Sequence, residues 1–393
     1  MRFSSLVERV AGRGSGAWAV HHEAVRRRAE GQDVVLLTVG DPDLPPPPAV
    51  LAAAADAIGR RQTGYSPIVG YPEVRAAIAE RHARRAGVPC TADNVVVVPG
   101  AQAGLYCAMQ CLAGPGDEVL AMEPLYATYQ AVAGAAGATL ATVPLRPERG
   151  FHPDLDELER AVTPRTRVLW VNSPHNPTGA VLDRGEMERI CDIARRHDLW
   201  VLSDEVYQDL AYARPHLGPG ALPGMAERTV TVSSISKSHA LPGFRFGWIV
   251  GPAELARHLF NLMLCMLYGG PPFVQRAAIV ALGNEFPEVE AMREAYLRRA
   301  RLFVRAVSRA PGCRAAEPEG GMFVLLDVRG TGLGAEAFAR RLLDREGVAT
   351  LPADAFGPSA EGHLRVSLAA EDAVLADAAE RIVRTAETLA REG

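Results

Sequence analysis

The sequence predicts an α/β protein in two parts: a large domain built on a mostly parallel, doubly wound seven-stranded sheet between helices, and a smaller α+β domain. Three observations carry that prediction. The chain has 393 residues, more than one hydrophobic core usually serves. Between about residues 94 and 250, short apolar runs rich in Val, Leu, Ile and Trp alternate with helical patterns, the signature of parallel strands covered on both faces. From about Asn284 the pattern changes to long charged helices separated by single strands.

Taken in order, the first segment, MRFSSLVERVAGRGSG, lacks the apolar core of a signal peptide. Its Gly12-Arg13-Gly14-Ser15-Gly16 run does not follow a strand, as a dinucleotide fingerprint must. His21-His22 falls on a helix and reads as a solvated face. VVLLTVGDPD reads as a strand, and LPPPPA (44–49) as a stiff extended connector. NVVVVPG opens the large sheet, with a helix from about Ala101 to Leu112 after it. DEVLAME, ATLATVPL, RVLWVNSP, DLWVLSDE, RTVTVSS and FRFGWIVGP supply the other strands, with helices such as RGEMERICDIARRH (184–197) between several of them. The charged helix NEFPEVEAMREAYLRRARLFVRAVSRA leads to the strand GGMFVLLDV, the helix AEAFARRLLDREG, the strand HLRVSLA and a final helix, EDAVLADAAERIVRTAETLA. The expected division is residues 47–284 for the large domain, and 1–46 with 285–393 for the small domain and its N-terminal arm.

Composition narrows the class. A hydrophobic content of 48%, a charged content of 22% and a net charge of −4 describe an ordinary soluble protein and argue against a nucleic-acid partner. The six cysteines are scattered without a CxxC pair, so no metal site and no disulfide framework is expected, and a reducing cytoplasm fits. Cys107 and Cys111, four apart on a helix, read as small buried side chains. The longest apolar run, near 259–270, is too short and too polar to span a bilayer.

One residue stands out by number. Of 42 Lys and Arg residues a single one, Lys237, is lysine. A guanidinium stays protonated, whereas a desolvated ammonium can shed its proton and attack a carbonyl. In a doubly wound sheet ligands gather at the carboxyl ends of the strands, and each end here carries a different polar group. Gly100-Ala101-Gln102-Ala103-Gly104 opens a helix whose free N–H groups suit a phosphate. Asn176 follows RVLWV, Asp204 ends WVLSDE, and Tyr207 lies three residues later. Ser234, Ser236 and Arg245 flank Lys237 with further phosphate donors. An amine, a phosphate cradle, a carboxylate for a ring nitrogen and an amide beside a phenol are together the inventory that holds pyridoxal 5′-phosphate as a Schiff base. The Walker A, GxSxG and HExxH patterns are absent.

With those residues in place the chain resembles the class I/II aminotransferases of fold type I among the pyridoxal-phosphate (PLP) enzymes. The likeness covers essentially the whole chain: VGDPD (39–43), GYSPIVGYPEVRAAIAERH (64–82), PGAQAGL (99–105), NSPHNPTGAV (172–181), SDEVY (203–207), SISKSHALPGFRFGW (234–248) and HLRVSLA (363–369). The resemblance implies that Lys237 bonds the cofactor's aldehyde carbon, Asp204 pairs with the pyridine nitrogen, Asn176 and Tyr207 bond the phenolic oxygen, and Tyr126 stacks on the ring. It assigns the phosphate to the Ala101 and Gln102 amides, Ser234, Ser236 and Arg245, with Tyr65 reaching in from the partner of a homodimer. Arg365 would grip the substrate carboxylate, helped by Gly40 and Asn176. It further implies ping-pong transfer between an amino acid and a 2-oxo acid. The flavour of GDPD, LCMLYGG and AFGPSAEGHLRV points within the family to arginine or a related guanidino amino acid, with pyruvate as acceptor and Trp18 closing over the pocket. A PLP lyase or oxidase shares these motifs and stays open, as does a modified guanidino substrate. A cofactor-binding regulator is disfavoured by the short stretch ahead of VVLLTVGDPD.

Overall fold

The computed structural model describes residues 2–11 and 18–392; the Gly12–Gly16 run lies outside them. All seven expected runs of the large sheet are strands: β1 Val95–Val98, β2 Glu118–Glu123, β3 Thr139–Pro144, β4 Thr166–Asn172, β5 Trp200–Asp204, β6 Thr229–Ser234 and β7 Gly247–Val250. Their order across the sheet is β1-β7-β6-β5-β4-β2-β3. The pairs from β3 to β6 are parallel, while β7 runs antiparallel to both β1 and β6.

Side chains alternate between faces along a strand, and the two faces are packed by different helices. Val96, Val98, Trp170, Leu202, Val230 and Val232 face one cluster with the 101–112 and 129–136 helices. Leu169, Val171 and Val201 face another with the 184–196 helix. Helix 184–196 starts as its sequence directs, with a reciprocal capping box between Asp183 and Glu186. The parity has a consequence at the strand ends. Asn172, Asp204 and Ser234 share the face of Trp170, Leu202 and Val232, whereas Glu205 points to the other side.

The second sheet is antiparallel and small. It holds β8 Arg314–Ala315, β9 Phe323–Asp327, β10 Leu351–Pro352 and β11 His363–Ser367, in the order β10-β11-β9-β8. Its core takes Tyr296 and Phe303 from the helix Pro287–Val307, Phe338 and Leu342 from Ala335–Glu346, and Ile382 from Asp372–Glu392. Val20, Ala24, Val34 and Leu37 from the N-terminal segment join the same core.

Four details depart from the sequence reading. The LPPPPA stretch is not extended throughout, because a helix begins at Pro48, where a missing N–H costs nothing in the first turn. VVLLTVGDPD shrinks to a two-residue strand, Val35–Leu36, paired in parallel with Val348–Ala349. His21 is not a solvated residue: it is partly buried, and its Nδ1 lies 2.7 Å from Thr38 Oγ1. Cys107 is buried as expected, while Cys111 is only half-buried. No helix among the described residues is long and apolar enough to cross a membrane.

Candidate active site

At the carboxyl ends of β4, β5 and β6 lies a cavity of about 180 Å³, lined by Ala101, Gln102, Tyr126, Asn176, Asp204, Tyr207, Ser234, Ser236, Lys237 and Arg245, with Asn172, Leu105, Val206 and Pro242 completing it. Ten of the expected site residues therefore converge on one space. A larger cleft of about 500 Å³ lies near the reverse face, with Glu205, His216 and Thr231 in its wall. Glu205 accepts from Ser203 Oγ at 2.8 Å and from Thr231 Oγ1 at 3.3 Å, with His216 Nε2 3.2 Å from its other oxygen. The chemistry selects the smaller cavity, which alone contains the lysine.

Lys237 sits on a single helical turn, Ile235–Ser238, directly after β6. Its Nζ donates to the Gly40 carbonyl at 2.6 Å. Burial, with the Arg365 and Arg245 charges adding to it and Asp41 opposing, lowers the ammonium to about 8. An arginine there would remain a cation.

The same cavity is lined by Asp204, 5% exposed. Burial raises its carboxyl to about 6, against the pull of hydrogen bonds from Tyr129 and the Val206 N–H. Asn172 ties this part of the lining together: its Nδ2 donates to the Asp204 carbonyl at 3.0 Å, and its Oδ1 accepts from the Asn176 N–H at 2.9 Å. Tyr207 is buried, and that burial pushes its phenol well up.

Another part of the lining is an anion cradle. The helix from Ala101 is preceded by Gly100 at φ +84°, with no side-chain cap on its first N–H groups. A Cβ at Gly100 would come within 2.5 Å of Arg245 Nη2, so only glycine lets the guanidinium close over the helix start. Ser234 and Ser236 are buried beside it, and Arg245 stands exposed at the open end.

Arg365 is the most demanding residue of the region. Its neighbours Leu364 and Val366 face the small core, so the pleat turns Arg365 toward the large sheet. Nη2 donates to the Thr38 carbonyl at 2.7 Å and Nη1 to Asn176 Oδ1 at 3.3 Å, while Nε has no partner. The guanidinium lies 4.1 Å from the Phe323 ring centroid and 4.9 Å from that of Phe356. It has no carboxylate partner among the described residues, and burial lowers it to about 10. A buried cation of this kind calls for an anion.

Of the other four expected residues, Arg365 and Gly40 reach the cavity through hydrogen bonds to Asn176 and Lys237, while Tyr65 and Trp18 stay outside it. Tyr65 is 87% exposed, its ring against Tyr268 with centroids 5.3 Å apart. Trp18 packs on the cluster of Leu325, Leu351 and Phe356, edge-on to His21. Gly40 reaches the site through its carbonyl, and a Cβ there would strike the Phe323 ring at 2.4 Å. The sequence reading missed Asn172, Phe323, Phe356 and Tyr129; the last carried a faint signal, an aromatic three residues after Tyr126 in EPLYATY.

A phosphate cradle, a buried carboxylate and one amine lining a single cavity fit the phosphate, pyridine ring and aldehyde that such donors select. Comparison with known proteins agrees with that chemistry. A family profile described as aminotransferase class I and II matches residues 32–382. The chain is 50% identical to the arginine–pyruvate transaminase AruH of Pseudomonas aeruginosa over 99% of both chains. It is 36% identical to the aspartate/prephenate aminotransferase of Thermus thermophilus over 94% of this chain and 95% of that one. Among solved structures, a double mutant of the Thermus thermophilus aspartate aminotransferase superposes with a TM-score of 0.93 at 36% identity, covering 98% of this chain and all of the other. An aromatic aminotransferase from Pyrococcus horikoshii superposes with a TM-score of 0.88 at 33% identity, over 93% of this chain and 99% of that one. This chain belongs to the class I and II aminotransferases.

Proposed function

We propose that this aminotransferase moves the amino group of arginine to pyruvate, using pyridoxal 5′-phosphate held in the 180 Å³ cavity. The observation that carries the substrate assignment is the 50% identity, over 99% of both chains, to a relative named for that reaction. Bound there, the cofactor would supply an aldehyde for the amino group and a ring that draws electrons from the Cα–H bond.

The protein's own groups do the rest. The Ala101 and Gln102 amides, Ser234, Ser236 and Arg245 hold the phosphate, and Asp204 keeps a negative charge against the ring nitrogen. Asn176 and Tyr207 bond the phenolic oxygen. Tyr126, half-buried over the cavity, covers the ring and excludes water. Arg365 binds the substrate carboxylate through the guanidinium edge that no acid among the described residues fills, with Asn176 and Gly40 beside it, and this fixes how Cα is presented. Lys237, neutral in part near pH 8, takes the Cα proton onto Nζ and returns it on the far side of the transfer. Trp18, on the Phe356 cluster, offers an aromatic face for a guanidinium.

The same reading includes a homodimer. It is supported by a run of exposed apolar side chains, Phe260, Leu264, Met266, Leu267 and Tyr268, beside Tyr65, with Tyr65 serving the partner's phosphate. It also includes two domains, 47–284 and 1–46 with 285–393, supported by the N-terminal residues that share a core with the C-terminal helices, and a cytoplasmic location. Incubation with arginine and pyruvate tests the central claim: alanine and the 2-oxo acid of arginine should appear in equal amounts. Ammonia release or oxygen uptake without alanine would overturn it.

A further inference from the structure

We propose that Tyr129 is a positioning residue for Asp204: its hydroxyl occupies one carboxylate oxygen, keeps the group ionised, and leaves the other oxygen for the ring nitrogen of the bound cofactor. The inference rests on the pyridoxal-phosphate reading above.

Tyr129 Oη donates to Asp204 Oδ2 at 2.7 Å. Asp204 Oδ1 receives only the Val206 N–H, at 3.3 Å, and no arginine or lysine pairs with this carboxylate among the described residues. The tyrosine comes from the 129–136 helix, and its ring is stacked on Trp170 of β4 with centroids 3.8 Å apart and planes 17° apart. Trp170 is 1% exposed and Tyr129 3% exposed, so ring and hydroxyl are locked by packing. A carboxylate in such surroundings keeps its charge only if hydrogen bonds replace water. One oxygen is taken by a phenol whose own ionisation burial suppresses, and Oδ1, held only by the Val206 N–H, is the oxygen left to serve the cavity that Asp204 lines.

The titratable and charged groups around Asp204 are Glu205, next in the chain; Tyr126 and Tyr129, from the segment after β2; Tyr207; and Lys237 and Arg245, on the same cavity. Glu205 pushes the Asp204 carboxyl up, and Tyr129 is the largest hydrogen-bond influence pulling it down. Tyr129→Phe keeps the ring on Trp170 and removes only the donor.

The test is carbon-13 NMR of the full, cofactor-free chain labelled at aspartate carboxyls, with the Asp204 resonance assigned by its loss in Asp204→Asn. The unsubstituted chain should titrate near pH 6. Tyr129→Phe should titrate about one pH unit higher, a tenfold tighter hold on the proton, with the thermal midpoint within a few degrees. Its dissociation constant for pyridoxal phosphate at pH 7.5 should rise about tenfold. An unmoved titration, or an unchanged dissociation constant, overturns the proposal; a purely structural role would lower the thermal midpoint and leave the titration in place. Failure of the unsubstituted chain to bind pyridoxal phosphate overturns the cofactor reading instead, and the titration still decides the role of Tyr129.

Discussion

The chain's single lysine permits an unusually clean measurement of how burial prepares an amine. Lys237 is lowered from 10.5 to about 8. At pH 7.5 about a quarter of the amines are then neutral, against about one in a thousand for an ordinary lysine, a gain of more than two orders of magnitude in reactive form. The perturbation is pH, applied to cofactor-free protein mixed briefly with pyridoxal phosphate at limiting concentration. Borohydride fixes the resulting carbon–nitrogen bond, and mass spectrometry of the peptide spanning Lys237 reads the yield. No other side chain competes, because no other lysine exists. Labelling should be half-maximal near pH 8, and Lys237→Arg should abolish both the label and turnover while leaving the fold intact. A midpoint at or above about pH 9.5 would refute the argument that enclosure beside Arg365 and Arg245 sets the amine's basicity.

Three further outcomes follow from the geometry. Arg365→Lys keeps the charge but loses the planar donor edge, so kcat/KM for arginine should fall about 100-fold, close to 3 kcal/mol of lost transition-state binding, measured by steady-state kinetics alongside circular dichroism. Gly100→Ala places a Cβ 2.5 Å from Arg245 Nη2 at φ +84°. It should cost about 1–3 kcal/mol in urea unfolding and weaken phosphate-dependent cofactor retention in equilibrium dialysis. His175 and His239 are buried and lowered to about 4, so the unfolded chain binds more protons than the folded one between about pH 6.5 and 4, and stability falls as pH drops through that window. At pH 5 each costs slightly under ~2 kcal/mol, while the raised Asp204 returns rather more than ~1 kcal/mol. These three groups together should leave the protein about 2 kcal/mol less stable to denaturant at pH 5 than at pH 7.

The parts of this molecule that sequence discloses are those governed by local pattern. Val95 to Val98 or Thr229 to Ser234 can be little other than buried strands, and the polar residue after each such run falls where parallel sheets bind ligands. Lys237 was exposed by composition, since one lysine among 41 arginines invites a chemical reason. Arg365 shows the reverse: as one arginine of many it has no local mark, and only resemblance singled it out. Its significance, a guanidinium between Phe323 and Phe356 with Nε unpaired, is a property of packing between two sheets. Tyr129 and Asn172 act across sequence separations of 75 and 32 residues, distances over which no periodicity reports. Trp18, expected to close over the pocket, rests on the cluster of Phe356, a contact between distant segments that no local pattern announces.

The two benzene rings that hold Arg365 make the resting protein thirsty for small acids. Formate, acetate or any compact monocarboxylate in a working buffer will lodge against the free guanidinium edge, because that contact restores part of the hydration the cation gave up on folding. Rates measured in acetate will then understate affinity for the amino donor, in proportion to acetate concentration. A buffer without carboxylates is the right medium for comparing substrates.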